Sequence, residues 1–129
     1  MIRCQFACFA ATLCCFAATL CCFAASAEGP RMGDRGFVEH EGEKIYYETY
    51  GAGDAVVFSH GLGGNHAIWY QQVYEFALDY LVVTWDQRGF GQSTNVNDEA
   101  GPAAARRNVQ ALLDHLQIDK AHLIGQPIG

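Results

Sequence analysis

The sequence predicts an α/β fold with a mostly parallel sheet, and three observations lead to that prediction. Two compact apolar runs, 55–59 and 80–85, have the continuous hydrophobic pattern of strands buried on both faces. A helical pattern of apolar residues lies between these runs, and a glycine-rich segment follows each of them. The order strand, helix, strand is the unit from which parallel sheets are built.

The elements before and between these runs follow from local patterns. Residues 37–40 and 44–50 are two β-prone stretches separated by Glu-Gly-Glu, which predicts a hairpin. Asn65 is a suitable N-cap for the first helix, whose apolar side chains recur at three- and four-residue spacings as far as Tyr80. The sheet is therefore expected to begin with a hairpin and to continue with parallel strands and crossover helices.

The last two elements are a second helix and a short strand. Pro102 suits the first turn of a helix, and an apolar face of Val and Leu residues continues to its end near Gln117. Residues 121–124 then predict a strand that leads into Gly125. In a parallel sheet the loops at the carboxyl ends of the strands carry the chemistry, so the segments after 59, 85 and 124 are the candidate functional loops.

A chain of 129 residues has room for one small domain. We divide it into an apolar leader at 1–27, a linker containing Gly and Pro at 28–36, and a partial α/β domain at 37–129. The leader contains all six cysteines and a single charged residue, Arg3, so the folded part forms without disulfides. The domain is therefore interpreted separately from the leader.

The leader has the layout of a secretory signal peptide. Arg3 precedes a long apolar run, and Ala25-Ser26-Ala27 supplies small residues for cleavage after Ala27. The unit Cys-Phe-Ala-Ala-Thr-Leu-Cys occurs at 8–14 and again at 15–21. Cleavage predicts a secreted or periplasmic protein, whereas an uncleaved run would anchor it in a membrane. A repeat expansion, with Met32 as the true start of a cytoplasmic protein, is the third alternative.

Composition excludes two classes of partner. The formal net charge is −6, and the eight Lys and Arg residues are scattered, so no basic surface for nucleic acid is expected. Adjacent cysteines within an apolar leader lack the spacing of metal ligands, so no metal site is predicted. Any contact with a membrane is expected only through an uncleaved leader.

The first glycine-rich segment, 59–65, reads Ser-His-Gly-Leu-Gly-Gly-Asn. Its glycines permit a tight turn that exposes backbone N–H groups toward a negative charge, so the segment is either an oxyanion hole or an ordinary turn between strand and helix. Ser59 and His60 are not interpreted as a catalytic pair, because adjacent residues of a strand point to opposite faces. The segment lacks the Lys and Ser or Thr of a phosphate-binding loop.

The second segment, 86–93, reads Asp-Gln-Arg-Gly-Phe-Gly-Gln-Ser and is interpreted as mainly architectural. Asp86 can accept backbone hydrogen bonds within the turn, and Arg88 can pair with a carboxylate. Gly89 and Gly91 permit a positive φ. These residues are therefore expected to shape the loop and not to react with a substrate.

Together with 123–129, Leu-Ile-Gly-Gln-Pro-Ile-Gly, these motifs closely resemble the amino-terminal half of an α/β-hydrolase. The similarity runs from about Phe37 to Gly129 and is greatest to esterases, lactonases, and haloalkane or epoxide hydrolases. It implies a small ester or lactone ligand, no cofactor, and an oxyanion hole formed by the amides of Leu62 and Ile128. The residues that match the family's supporting motifs are His60, Gly61, Asp86, Arg88, Gly89, Gly91, Gly125 and Gly129.

The sequence departs from the family at the nucleophile. The family's elbow reads Gly-x-Ser-x-Gly, and the position of its serine is occupied here by Pro127, which has no reactive group. Proline also fixes φ near −65°, whereas the family's elbow residue has a positive φ. The resemblance further implies that the catalytic acid and histidine come after Gly129. No catalytic residue is therefore intact.

Three interpretations of the function remain. The chain is a truncated member of a hydrolase family without activity of its own, a pseudoenzyme in the sense that its nucleophile is missing. Alternatively, it is a noncatalytic secreted or anchored module that binds a small ester or lactone. The third interpretation is a truncated reading frame without function.

Overall fold

A computed structural model of the chain describes residues 32–126. The predicted leader at 1–27 lies outside the described residues. A 3₁₀ turn, His66–Trp69, precedes the first α-helix. The regular elements are β1 (Met32–His40), β2 (Glu43–Tyr50), β3 (Asp54–Ser59), α1 (Tyr70–Phe76), β4 (Tyr80–Trp85), α2 (Pro102–His115) and β5 (Ala121–Gly125).

The strands form a mixed five-stranded sheet in the order β1-β2-β4-β3-β5. The pairs β1–β2 and β2–β4 are antiparallel, and β3 pairs in parallel with both β4 and β5. The prediction of a hairpin followed by parallel strands and crossover helices is confirmed. Because consecutive strands β3 and β4 are neighbours, the short helix between them has only to cross back over one face of the sheet.

The hairpin turn is tighter than the sequence suggested. Glu41 and Gly42 have φ values of 52° and 78°, which are typical of a two-residue turn that follows the twist of the strands. Glu43 already belongs to β2.

The start of the hairpin corrects one predicted boundary. Strand β1 begins at Met32, so residues 32–36 belong to the strand and not to the predicted linker at 28–36. Backbone pairing with β2 explains the difference, because Arg35 and Gly36 lie opposite Glu48 and Tyr47 although their own β propensity is low. Residues 28–31 of the predicted linker lie outside the described residues.

The first crossover is shorter than predicted. Asn65 caps the 3₁₀ turn, where its Oδ1 accepts a hydrogen bond from the Ala67 N–H at 2.9 Å. The α-helical part is confined to α1, and Tyr80 begins β4 instead of ending the helix. Gly51 packs so closely on the end of this connection that a Cβ would lie 2.4 Å from the Ala77 carbonyl oxygen, so position 51 has no room for a side chain.

The hydrophobic core has two parts, one on each face of the sheet. One part packs against α2 and centres on Trp85 and Leu112, both fully buried. The other lies beneath the first crossover and centres on Phe58 and Trp69, whose ring centroids are 4.9 Å apart. Strand β5 is at the edge of the sheet within residues 32–126, and its Leu123 is 65% exposed. No helix of the described region is long and apolar enough to cross a membrane.

A buried carboxylate fastens the hairpin to the loop that precedes α2. The carboxylate of Glu43 accepts hydrogen bonds from the Thr94 hydroxyl and from the backbone N–H groups of Val96 and Asn97. The hydrogen bond from Thr94, followed by those from the two amides, lowers the pKa of Glu43 from its ordinary value of 4.5. All three donors favour the ionised form.

This lowered pKa predicts a loss of stability in acid. Because the folded pKa of Glu43 lies below its unfolded value, the stabilisation is complete above about pH 4.5 and is lost as the pH falls through the folded pKa. We expect Glu43→Gln to lower the free energy of unfolding at pH 7 and to flatten its decline below pH 4.5. Urea unfolding of both proteins between pH 7 and pH 3 measures this difference. Parallel pH profiles would contradict it.

Candidate functional site

Parallel pairing brings the predicted loops to one edge of the sheet. Residues Ser59 and Gly125 are register partners at the ends of β3 and β5, and the Gln126 N–H donates to the Ser59 carbonyl oxygen at 3.1 Å. Trp85 ends β4 opposite Ser59 on the other side. The loop after β3, the loop after β4 and the segment after β5 therefore start side by side. Pro127, Ile128 and Gly129 lie outside the described residues.

His60 is fully buried and connects the first two loops. Its Nε2 accepts a hydrogen bond from the Gln87 backbone N–H at 3.0 Å, and its Nδ1 lies 2.8 Å from the Gly61 carbonyl oxygen. A backbone N–H can only donate and a carbonyl oxygen can only accept, so His60 is the neutral tautomer protonated on Nδ1. Both ring nitrogens are engaged, and the imidazole therefore holds the loops in place and is not positioned as a general base.

Ser59 and His60 have separate partners. The Ser59 hydroxyl accepts a hydrogen bond from the Trp85 indole N–H at 2.9 Å. The side-chain amide of Gln87 donates to the His60 carbonyl oxygen, so Gln87 bonds both the backbone and the imidazole ring of His60. This role of Gln87 could not be predicted from local patterns, because His60 is 27 residues away along the chain.

Asp86 is the second buried group at this edge. Its Oδ1 accepts a hydrogen bond from the His66 backbone N–H at 2.6 Å and also lies 2.9 Å from His66 Nδ1. Its Oδ2 accepts a hydrogen bond from the Gln92 backbone N–H at 2.8 Å. One carboxylate thus joins the end of the first loop to the second loop. Gly91, with φ of 52°, passes so close that a Cβ there would lie 2.1 Å from Asp86 Oδ2.

Arg88 belongs to the second loop, and its side chain is buried. Its Nε and Nη2 donate to Asn108 Oδ1 on α2 at 3.1 and 2.9 Å, and Nη2 donates to Glu41 Oε2 in the hairpin turn at 2.6 Å. The hydrogen bond from Arg88 lowers the pKa of Glu41. Arg88 therefore joins the hairpin, the loop and α2 as a structural group, and Gly89 beside it has a φ of 78°.

The loop after His60 presents its backbone outward. The Gly64 N–H donates to the Gly61 carbonyl oxygen at 3.2 Å, which closes a turn around Leu62 and Gly63. The Leu62 side chain is 68% exposed, and its N–H has no hydrogen-bond partner within residues 32–126. Gly63 has a φ of 78° and open space around it. An N–H in such a turn can donate to a negatively charged oxygen.

A polar cluster that the sequence did not indicate lies beside the Asp86 carboxylate. His66 Nε2 is 3.6 Å from Glu48 Oε1, and the Tyr46 hydroxyl donates to that oxygen at 2.6 Å. These residues lie on β2 and on the 3₁₀ turn, so only the tertiary fold unites them. Residues 32–126 contain no group of three His, Cys, Asp or Glu side chains arranged to hold a metal ion.

Comparison with known proteins agrees with this architecture. A family profile for the alpha/beta hydrolase fold matches residues 54–129. The 3-oxoadipate enol-lactonase 2 of Acinetobacter baylyi is 40% identical over 90 residues, which cover 66% of this chain and 33% of that protein. The solved structure of Est816, described as an N-acyl homoserine lactone degrading enzyme, has 38% identity and a TM-score of 0.67, covering 69% of this chain and 34% of Est816.

The haloalkane dehalogenase DatA of Agrobacterium tumefaciens C58 shares the fold, with a TM-score of 0.64 and 24% identity over 77% of this chain and 33% of that one.

A sheet with glycine-rich loops at the carboxyl ends of its parallel strands defines the class of α/β scaffolds that place their active sites at that edge. The chain belongs to the α/β-hydrolase family. It spans about a third of the length of the relatives it matches.

Proposed function

We propose that this chain supplies the oxyanion loop and the supporting scaffold of a site for small esters or lactones. The observation that carries the proposal is the Leu62 N–H, which has no hydrogen-bond partner within residues 32–126 and lies in an exposed, closed turn that follows the end of β3. The relatives 3-oxoadipate enol-lactonase 2 and Est816 point to lactones as the substrate class. A lactone carbonyl gains negative charge on its oxygen when it is attacked, and a fixed N–H stabilises that charge.

The buried groups behind the loop supply the rigidity that such a donor needs. His60 is bonded through both ring nitrogens, and the Asp86 carboxylate holds the residue at which the 3₁₀ turn begins. A donor fixed before the reaction stabilises a developing charge without the cost of reorientation. In this proposal His60 and Asp86 are positioning residues and Leu62 contacts the ligand.

Pro127 leads to a second part of the proposal, namely that residues 1–129 bind such a ligand without turnover. Proline provides no atom that forms an acyl intermediate. We expect the full chain to hydrolyse p-nitrophenyl acetate no faster than a mock preparation. Pro127→Ser is expected to remain at background, because the ring nitrogens of His60 are both engaged and cannot activate a serine. Turnover by the unmodified chain that a substitution elsewhere abolishes would contradict this prediction.

Ligand binding tests the first part separately. In an ¹⁵N-labelled full chain titrated with γ-butyrolactone, we expect the amide signals of Leu62 and Gly63 to shift in a saturable manner. Leu62→Pro removes the N–H and is expected to abolish the response, whereas the matched variant Leu62→Ala retains the N–H and the response. An equal response of both variants would contradict an oxyanion role for Leu62.

We also propose that the protein is secreted or periplasmic, with cleavage after Ala27. Support comes from the small residues Ala25 and Ala27 behind the apolar run. Amino-terminal sequencing of exported material is expected to begin at Glu28, and Ala27→Leu is expected to leave the leader attached. An intact leader in the membrane fraction would favour anchoring, and a protein that begins at Met32 would favour a cytoplasmic location.

A further inference from the structure

A pocket of about 340 Å³ lies between β2, β4 and the first crossover, away from the Leu62 loop. Its walls include Tyr50, Tyr70, Val73 and Tyr74, and its polar lining consists of Glu48, His66 and Thr84. The pocket therefore combines aromatic rings with a carboxylate, an imidazole and a hydroxyl. Leu62 and Gly63 of the proposed oxyanion site do not line this pocket.

The three polar groups lie close together for structural reasons. Glu48 on β2 and Thr84 on β4 are register partners in an antiparallel pair, so their side chains extend from the same face of the sheet. His66 Nε2 lies 3.6 Å from Glu48 Oε1, which is too long for a hydrogen bond. The two groups are near each other, but no direct hydrogen bond joins them, so a ligand between them could bond to both.

Each polar group can accept a hydrogen bond. The Glu48 carboxyl group accepts hydrogen bonds from the Tyr46 and Tyr50 hydroxyls. Burial raises the pKa of Tyr50, which keeps that phenol protonated as a donor. His66 Nδ1 faces the Asp86 carboxylate, so in the neutral form of the ring the proton is on Nδ1 and the lone pair is on Nε2. The Thr84 hydroxyl is buried and makes no hydrogen bond within residues 32–126.

The charge of the pocket is negative. Glu48 and Asp86 flank His66, and neither Lys nor Arg is among the described residues that line the pocket. Arg35 lies opposite Glu48 on β1 and places a positive charge near Tyr46 and Tyr50, but it makes no ion pair with Glu48 within 4 Å. Glu48 therefore has no direct Lys or Arg partner within residues 32–126, and the tyrosine rings favour a cation over their faces.

We propose that this pocket binds a small primary ammonium ion attached to an apolar group. The ammonium carries three N–H donors, which match the acceptors of Glu48, His66 and Thr84, and the apolar group lies against the tyrosine rings. An ammonium without N–H groups compensates the negative charge of the pocket but donates no hydrogen bond to its three acceptors. A neutral alcohol of the same shape satisfies neither the charge nor all three acceptors.

Three probes separate these contributions. We titrate the full chain by calorimetry with 2-phenylethylammonium, with its N-trimethyl derivative and with 2-phenylethanol. The primary ammonium is expected to bind at least about tenfold more tightly than either of the others, a difference of about 1.4 kcal/mol. Equal affinities for all three probes, or no saturable binding of the primary ammonium, would overturn the proposal.

Two variants and a matched control locate the site. Glu48→Gln is expected to abolish the preference for the primary ammonium, whereas Glu75→Gln, which removes one negative charge from an exposed position on α1 outside the pocket lining, is expected to retain it. Tyr70→Leu changes an exposed ring and leaves the buried hydrogen bonds intact, so this variant tests the site even if Glu48→Gln fails to fold. Tyr70→Leu is expected to weaken binding of the primary ammonium several-fold. Unchanged affinity in a folded Glu48→Gln or in Tyr70→Leu would place the ammonium elsewhere and refute the assignment.

Discussion

Gly91→Ala is expected to lower the free energy of unfolding by about 3–5 kcal/mol, enough to unfold a marginal domain. The new Cβ would lie 2.1 Å from Asp86 Oδ2 and 2.4 Å from Asp86 Cγ, so the carboxylate has to move. Moving it breaks the hydrogen bonds from Gln92 and His66 that it accepts in a buried position. The positive φ of 52° adds backbone strain for a residue with a Cβ. Urea unfolding of the full chain measures the loss.

Gly89→Ala is the matched control within the same loop. Gly89 also has a positive φ, 78°, but a Cβ there meets the Asn95 side chain at ordinary contact distances of 3.4 Å and longer. Only the strain of the backbone remains, so we expect a loss of about 1–2 kcal/mol. If the two variants lose the same amount, the contact of Gly91 with Asp86 contributes nothing to stability.

The succession of strands and helices along the chain could be predicted because each strand has a local signal. Val82 and Val83 belong to a run that is apolar on both faces, which is the pattern of an interior parallel strand, and the structure buries both completely. The cap at Asn65 is equally local, since its side chain bonds an amide two residues away. Short-range patterns therefore predicted the hairpin, the parallel strands and the positions of the loops.

The bonds that hold the loops together were beyond the reach of local patterns. Asp86 was expected to bind amides in its own turn, and the bond from Gln92 fits that expectation, but its bonds to His66 cross 20 residues of sequence. His60 and Gln87 are 27 residues apart, and Arg88 and Glu41 are 47 apart. A single sequence carries no signal for such pairs, because any carboxylate or amide can satisfy the same donor.

We expect His60→Ala to lower the free energy of unfolding by about 2–4 kcal/mol, because it leaves a cavity and breaks two buried hydrogen bonds. The Gln87 N–H loses its acceptor, whereas the Gly61 carbonyl oxygen loses one donor and retains the Gly64 N–H. Amide hydrogen exchange is expected to accelerate at Leu62 and Gly63, since the loop loses its anchor.

His122→Ala provides the comparison for His60→Ala, since His122 lies on the edge strand β5 with an exposed side chain. We expect its effect on stability to stay within about 0.5 kcal/mol, with no change in exchange at the Leu62 loop. A His60→Ala protein as stable as His122→Ala would mean that the two hydrogen bonds do not fasten the loop. The rigidity of the Leu62 N–H, on which the proposed oxyanion role depends, would then need a different origin.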